Sequence, residues 1–296
     1  MILVSLSGGI GNQLFQYAAG RSLAMIHKTP LIIDTSWYRV DHKNLTSRNL
    51  DIFKFKLTDE LIEIKSLTQS RVLRTALAAR AFIPLKRLGY SPFSELNSFV
   101  FDPAFLLLPK NVFLNGYWQS WRYFENISDI LANELMISSS LSDADLSVLK
   151  RIQEVNSVGV HVRRGDYLES KTLQICDVEY YLAGAEKIRK ISGQHGELSF
   201  FVFSDDIEWA KKNLQFPENT EYVAHNDESS CVNDLILLSS CQNNIIANSS
   251  FSWWAAWIGC QKSEGRVIVA PDLWWSGVPV IGLDIYPEDW NVINCL

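Results

Sequence analysis

The chain has 296 residues, 47% hydrophobic and 20% charged, with a formal charge of −6. That length and composition suit one large domain or two of about 100–200 residues, with a core big enough to need no covalent staples. The acidic balance excludes a broad nucleic-acid footprint, five scattered cysteines without CxxC spacing argue against a disulfide framework or structural zinc, and neither a basic leader region nor an apolar run of ~18 residues is present.

From the N-terminus, ILVSL reads as a strand, SGGIGNQ as a glycine turn, LFQYAAGRSLAMIH as a helix and TPLIIDT as a second strand. This is the pattern of a βαβ unit in a parallel sheet. Residues 36–60 read as loop with short elements, and Asn44 with Thr46 matches a glycosylation acceptor by chance. Residues 60–90 read as helical, and RVLRTALAARAFIPLKRLGY within them is basic and amphipathic. That stretch is either a face that touches a membrane or lipid-linked acceptor, or an insertion helix with solvated arginines. VFLNGYW (112–118) is a predicted strand, 120–135 a helix, and 138–156 a second helix opened by serine and aspartate cap signals.

The second half alternates more plainly. Strand 157–162 is followed by RRGDY and a helix over 177–192; strand 197–204 by Asp205, Asp206 and a helix; helix 229–241 leads to strand 243–248; SSFS opens the helix WWAAWIG; 265–271 is a further strand. Such alternation indicates α/β architecture with parallel sheets, and ligands in open α/β sheets sit at the carboxyl ends of strands.

The unusual residues cluster at those ends. Arg163 and Arg164 beside His161 form a concentrated donor set, and arginine grips phosphate oxygens bidentately while staying charged. The plainer alternative is a surface ion pair of Arg164 with Asp166. Asn248, Ser249, Ser250 and Phe251 stand at a strand-to-helix turn whose free amides and helix polarity suit an anion, or serve simply as caps. Trp253, Trp254 and Trp257 read as core. Asp205 and Asp206 could bind a sugar hydroxyl, a metal or a proton, or cap the next helix. The Gly8–Gln13 loop permits close backbone approach, but Leu14 breaks the dinucleotide fingerprint.

In order, GGIGNQLFQYAAGRSLA, GYWQSWRYF, HVRRGDY, FSDDIEWAK and IIANSSFSWWAAW resemble the bacterial α-1,2-fucosyltransferases of glycosyltransferase family 11. The resemblance spans nearly the whole chain and is weakest over 60–110. It implies an α/β, GT-B-type fold of two facing Rossmann-like domains with parallel sheets. Residues 1–150 would form the acceptor-side domain, with a helical insertion at 60–110, and 151–296 the domain that binds the GDP-sugar. The last ~20 residues would pack back on the first domain.

The resemblance also implies inverting transfer of L-fucose from GDP-β-L-fucose to the 2-hydroxyl of a galactose. Arg163 matches an arginine that contacts the β-phosphate; His161 and Arg164 match its neighbours; Ser249 and Ser250 match a phosphate-binding turn. Asp234 matches an acid that reads guanine, whose N1/N2 edge offers two donors to a carboxylate. Asn12 is expected near the reacting centre, Asp166, Asp205 and Asp206 are candidates for a general base, and Gln13, Trp118 and Gln119 are expected on the acceptor side. No cofactor and no metal is expected. The expected partners are GDP-fucose and a galactose-terminated or lipid-linked glycan, in the cytoplasm or at the inner membrane face. Three rivals remain at this point: a transferase using another GDP-sugar such as GDP-mannose, a nicotinamide-dependent oxidoreductase and a non-catalytic glycan-binding module.

Overall fold

The computed structural model describes the chain except for residues 40–47, 64–88, 139, 171, 174, 193–196 and 296. The basic amphipathic stretch lies almost wholly outside the described residues, as does Asn44. The chain forms two compact units. The first is Met1–Ser138 with Leu283–Tyr286; the second is Ser139–Gly282 with Pro287–Leu296. The division falls 12 residues before the boundary read from the sequence at 150, because the helix that follows it packs within the second unit. Of the C-terminal residues, only Leu283–Tyr286 group with the first unit.

In the first unit β1 (Ile2–Ser5) leads to α1 (Ile10–Ile26) and then to β2 (Leu31–Asp34), β3 (Leu61–Glu63), β4 (Ser91–Ser94) and β5 (Val112–Asn115). The sheet runs β3-β2-β1-β5-β4 with every pair parallel. Its central strands are apolar on both faces, as a sheet covered on both sides requires. Gly20 lets α1 settle onto that sheet: a Cβ there would stand 2.8 Å from Leu31 and 3.2 Å from Val4.

Two expectations change here. The helical reading of 60–110 misses β3 and β4, the two edges of the sheet, which are too short to show a strand period. The single helix read over 120–135 is two 3-10 turns, Trp121–Tyr123 and Glu125–Ile127, followed by the short α2 (Ser128–Glu134). Tyr123 and Phe124 are buried at this irregular entry, and Tyr123 stacks edge-on against Phe101 and Phe105.

The second unit opens with α3 (Asp143–Glu154), held by a Ser142/Asp145 capping box. Then follow β6 (Asn156–Val162), α4 (Val178–Ile191), β7 (Leu198–Ser204), α5 (Ile207–Asn213), β8 (Asn219–Val223), α6 (Cys231–Ser240), β9 (Asn243–Ile245), α7 (Ser250–Cys260), β10 (Ile268–Pro271), the β11 (Leu273–Trp275)/β12 (Val278–Pro279) hairpin and β13 (Asn291–Ile293). The sheet order is β13-β10-β9-β6-β7-β8, all parallel. Counted within the unit this is the doubly wound order 3-2-1-4-5-6, whose topological switch point lies between β6 and β9. Gly159 allows the close packing of α6 on β6, since a Cβ there would meet Leu238 at 2.7 Å. The three tryptophans of α7 are core: Trp253 and Trp254 are fully buried, and Trp253 lies against Trp290.

Candidate active site

The turns after β6 and β9, on either side of the switch point, carry the arginines and the hydroxyls. Arg163 is pinned on two sides, to Asp166 Oδ1 at 2.6 Å and to Asp205 Oδ2 at 2.8 Å, and its guanidinium lies 5.4 Å from the centre of the Tyr167 ring. Arg164 takes a separate place. Its Nε meets Asp206 Oδ2 at 3.3 Å, its backbone N–H donates to Asp205, and its guanidinium stacks 3.8 Å from the Trp209 ring centre. The plain alternative of an Arg164–Asp166 pair is therefore replaced: Asp166 belongs to Arg163. A side chain at Gly165 would displace Asp205, because a Cβ there would stand 2.7 Å from Asp205 Oδ2.

Asp205 and Asp206 act first on the protein. Asp205 spans both arginines, and Asp206 also caps α5 by accepting from the Trp209 N–H at 3.2 Å. Each of the three carboxylates read as candidate bases thus has an oxygen on an arginine. Two guanidinium groups face three carboxylates, so an anion held here depends on the aim of N–H donors more than on excess positive charge. Arginine has five N–H donors, and Arg163 gives one to Asp166 while meeting Asp205 as an ion pair.

His161 is buried, 5.1 Å from the Phe251 ring, and its Nδ1 has no hydrogen-bond partner among the described residues. Burial, and then the neighbouring Arg163, push its pKa down to about 3, so the ring is neutral. Tyr167, which sequence reasoning left without a role, ties the two turns together. Its ring supports Arg163 and its hydroxyl donates to the Asn248 carbonyl at 3.0 Å. The signal was present in HVRRGDY but was read for its charges alone.

Asn248 departs from its expected part as a ligand contact. Its side-chain amide donates to the carbonyls of Leu173 and Trp274, both at 3.0 Å, and so builds the turn. Ser249 stands at the cap position of α7 in extended backbone and makes no side-chain capping bond. The first turn of α7 therefore presents its amides and its partial positive charge at the switch point.

Asp234 on α6 sits above a buried polar network. Its Oδ1 accepts from Asn226 at 2.7 Å. Asn226 also donates to Asp145, which is fully buried and further accepts from His225, Asn233 and Ser142. Burial would raise the Asp145 pKa, but the bonds from Ser142, Asn226 and His225 outweigh it and hold the group at about 2. Asp234 goes the other way: burial raises it to about 6 against the pull of Asn226 and His225.

In the first unit, Asn12 accepts from Gln119 Nε2 at 2.8 Å, joining the glycine loop to the chain after β5. Two expected acceptor contacts are corrected. Gln13 is fully buried; it donates to the Gly8 and Asn49 carbonyls and accepts from the Asp51 and Ile52 amides, so its polar atoms are spent on the loop. Trp118 has no exposed surface and packs among Phe93, Phe105 and Tyr123. Among the described residues, no group of three or more His, Cys, Asp or Glu is arranged to hold a metal ion, and no helix is long and apolar enough to cross a membrane.

The family model for glycosyl transferase family 11 matches residues 1–294. An α-1,2-colitosyltransferase of Escherichia coli is 31% identical over 98% of this chain and 98% of its own. The O-antigen biosynthesis glycosyltransferase WbnK of Escherichia coli is 30% identical over 92% of this chain and 94% of its own. Galactoside α-(1,2)-fucosyltransferase 1 of Ateles belzebuth is 27% identical over 85% of this chain, which spans 63% of that protein. Solved structures share the fold: the α-1,6-fucosyltransferase NodZ soaked with GDP-fucose has a TM-score of 0.53 at 16% identity, covering 87% of this chain and 92% of that one. POFUT1 with GDP gives 0.51 at 11%, covering 91% and 97%. The fold is thus mixed α/β with parallel sheets, of the GT-B type.

Proposed function

The chain belongs to glycosyltransferase family 11, and we propose that it transfers L-fucose from GDP-β-L-fucose to the 2-hydroxyl of a terminal galactose, with inversion and without a metal. The observation that carries the reading is the switch-point site of the second unit, where Arg163 and the N-terminus of α7 follow adjacent parallel strands.

In this reading the second unit holds the nucleotide. The Arg163 donors left over from Asp166 and Asp205 and the first amides of α7 bind the diphosphate. The galactose oxygen forms its bond to fucose C1 as the bond from C1 to the β-phosphate oxygen breaks, and that electron pair passes to the diphosphate. Donors already aimed at the leaving oxygens need no reorganisation as the charge grows. Pinning by two carboxylates and a tyrosine ring keeps Arg163 in place before the nucleotide arrives. Asp234 reads the guanine edge. The acceptor proton leaves to solvent, since Asp166, Asp205 and Asp206 are each ion-paired to an arginine.

The test is incubation with GDP-fucose and a panel of galactosides, followed by linkage analysis. An α-1,2 fucoside is expected from wild type, and Arg163→Ala should lower kcat by about 100-fold or more. Near-normal transfer by that variant would refute the leaving-group role. A second donor has a specific observation in its favour, the 31% identity over nearly the full length to a colitosyltransferase. Colitose is L-fucose without its 3-hydroxyl. Competition between GDP-fucose and GDP-colitose separates the two, and a strong preference for the deoxy sugar would reassign the donor.

A further inference from the structure

A hollow of about 310 Å³ opens at the carboxyl ends of β1, β5 and β4, wholly within the first unit. It lies at that sheet's own switch point: β1 continues to β2 on one side, while β5 returns on the other after the chain has gone out to the edge. Ser5 and Ser7 come from the end of β1, Ser94 and Glu95 from β4, and Asn115 and Tyr117 from β5 and the residues after it. Among the described residues, neither lysine nor arginine lines it. A phosphate or carboxylate placed there would meet Glu95 without a compensating cation, so the lining selects against anions.

What it offers is a set of neutral donors and acceptors with apolar surface at the mouth. Asn115 Nδ2 donates to Ser94 Oγ at 3.2 Å, which leaves the Ser94 hydroxyl its own hydrogen to give and Asn115 its carbonyl. The Tyr117 side is 43% exposed and Leu96 is 95% exposed. This pairing of hydroxyl-binding edges with an uncovered aromatic and aliphatic surface matches a sugar ring, polar at its rim and C–H on its faces.

The wall is also held under strain. Trp118 adopts a left-handed φ of 58°, uncommon for a bulky residue. The Glu95 carboxylate secures it by accepting from the amides of Tyr117 and Trp118 and from the Ser98 hydroxyl. Strained backbone clamped by a dedicated side chain is characteristic of a binding wall. The same segment continues to Gln119, which bonds Asn12.

We propose that this hollow is the recognition site for a neutral sugar residue of the acceptor glycan, with Asn115 and Ser94 binding its hydroxyls and Tyr117 covering a C–H face. The inference rests on the glycosyltransfer reading for the identity of the ligand as acceptor, but binding itself is independent of the donor.

The test uses Asn115→Ala, Tyr117→Ala and Ser94→Phe, the last filling the hollow from an exposed strand end where it should fold normally. Saturation-transfer NMR with a panel of neutral saccharides, including methyl β-lactoside, is run without nucleotide. At least one saccharide should bind wild type and be lost from all three variants. In turnover, acceptor KM should rise about tenfold or more, with the KM for GDP-fucose and the slow hydrolysis of GDP-fucose unchanged. No saccharide binding to wild type, or binding and acceptor KM in the variants within about twofold of wild type, would overturn the assignment. Saccharide binding lost in the variants, with no transfer from any GDP-sugar, would leave the hollow a sugar site and refute the transferase reading instead.

Discussion

Asp234 is held between opposing influences: burial raises its carboxyl to about 6, while Asn226 and His225 favour the ionised form. To accept from both donors of a guanine edge it must be ionised. Affinity for GDP is therefore expected to be level above pH 7 and to fall as pH drops through about 6. Asp234→Asn should flatten that profile and weaken binding at neutral pH. Calorimetric titration with GDP at several pH values checks this, and a wild-type profile with no decline between pH 7 and 5 would contradict it. The effect on folding has the opposite sign. A carboxyl whose folded pKa lies above its unfolded value binds more protons when folded, so its contribution to stability grows as pH falls from about 6 toward 4. Loss of binding in that window would thus not report unfolding at Asp234.

The same scale shows what a sequence conceals. Arg163 and Arg164 drew notice because arginine grips phosphate oxygens bidentately, but their division, one with Asp166 and Asp205 and the other with Asp206, depends on carboxylates about 40 residues on as well as on a near neighbour. Gln13 and Trp118 looked like ligand contacts because nothing in their spacing shows that four backbone groups consume the amide of one and three aromatic rings bury the other. Tyr167 and Glu95 went unread for the converse reason, since their partners lie far along the chain.

Among the elements, α3 was predicted from its cap signals, and the Ser142/Asp145 capping box forms. The same Asp145 has a second task that the cap pattern could not reveal: it receives His225, Asn226 and Asn233 and so fixes the start of α6, where Asp234 stands. Asp145→Ala would leave the half-buried Asn226 and Asn233 and the exposed His225 without their shared acceptor and remove the cap. The expected cost is about 3 kcal/mol or more, seen as a lower urea midpoint, together with weaker GDP binding. A loss below about 1 kcal/mol would mean that water replaces the carboxylate freely. Long apolar strands such as β6 and β7 were plain in the sequence. The short edges β3, β4, β8 and β13 were not, because three to five residues carry too little periodicity and their pairing is decided by the neighbouring strand.

At the level of the molecule, both units place their distinctive residues after the central strands of parallel sheets. In the second, the order 3-2-1-4-5-6 puts the turns after β6 and β9 side by side although about 80 residues of chain separate them. The overall charge of −6 is no obstacle to an anion site, because the site works by directed N–H groups in a locally balanced arrangement of arginines and carboxylates. The alternation of strands and helices carried this architecture in the sequence, whereas the strand order emerges only when the chain is folded. The most direct measurement is a crystal structure of the protein with GDP. The expected result is diphosphate oxygens within about 3.2 Å of Arg163 nitrogens and of the first amides of α7, with the guanine on Asp234. Nucleotide bound away from both turns, with Arg163 still closed on Asp166 and Asp205 alone, would contradict the proposed chemistry at its root.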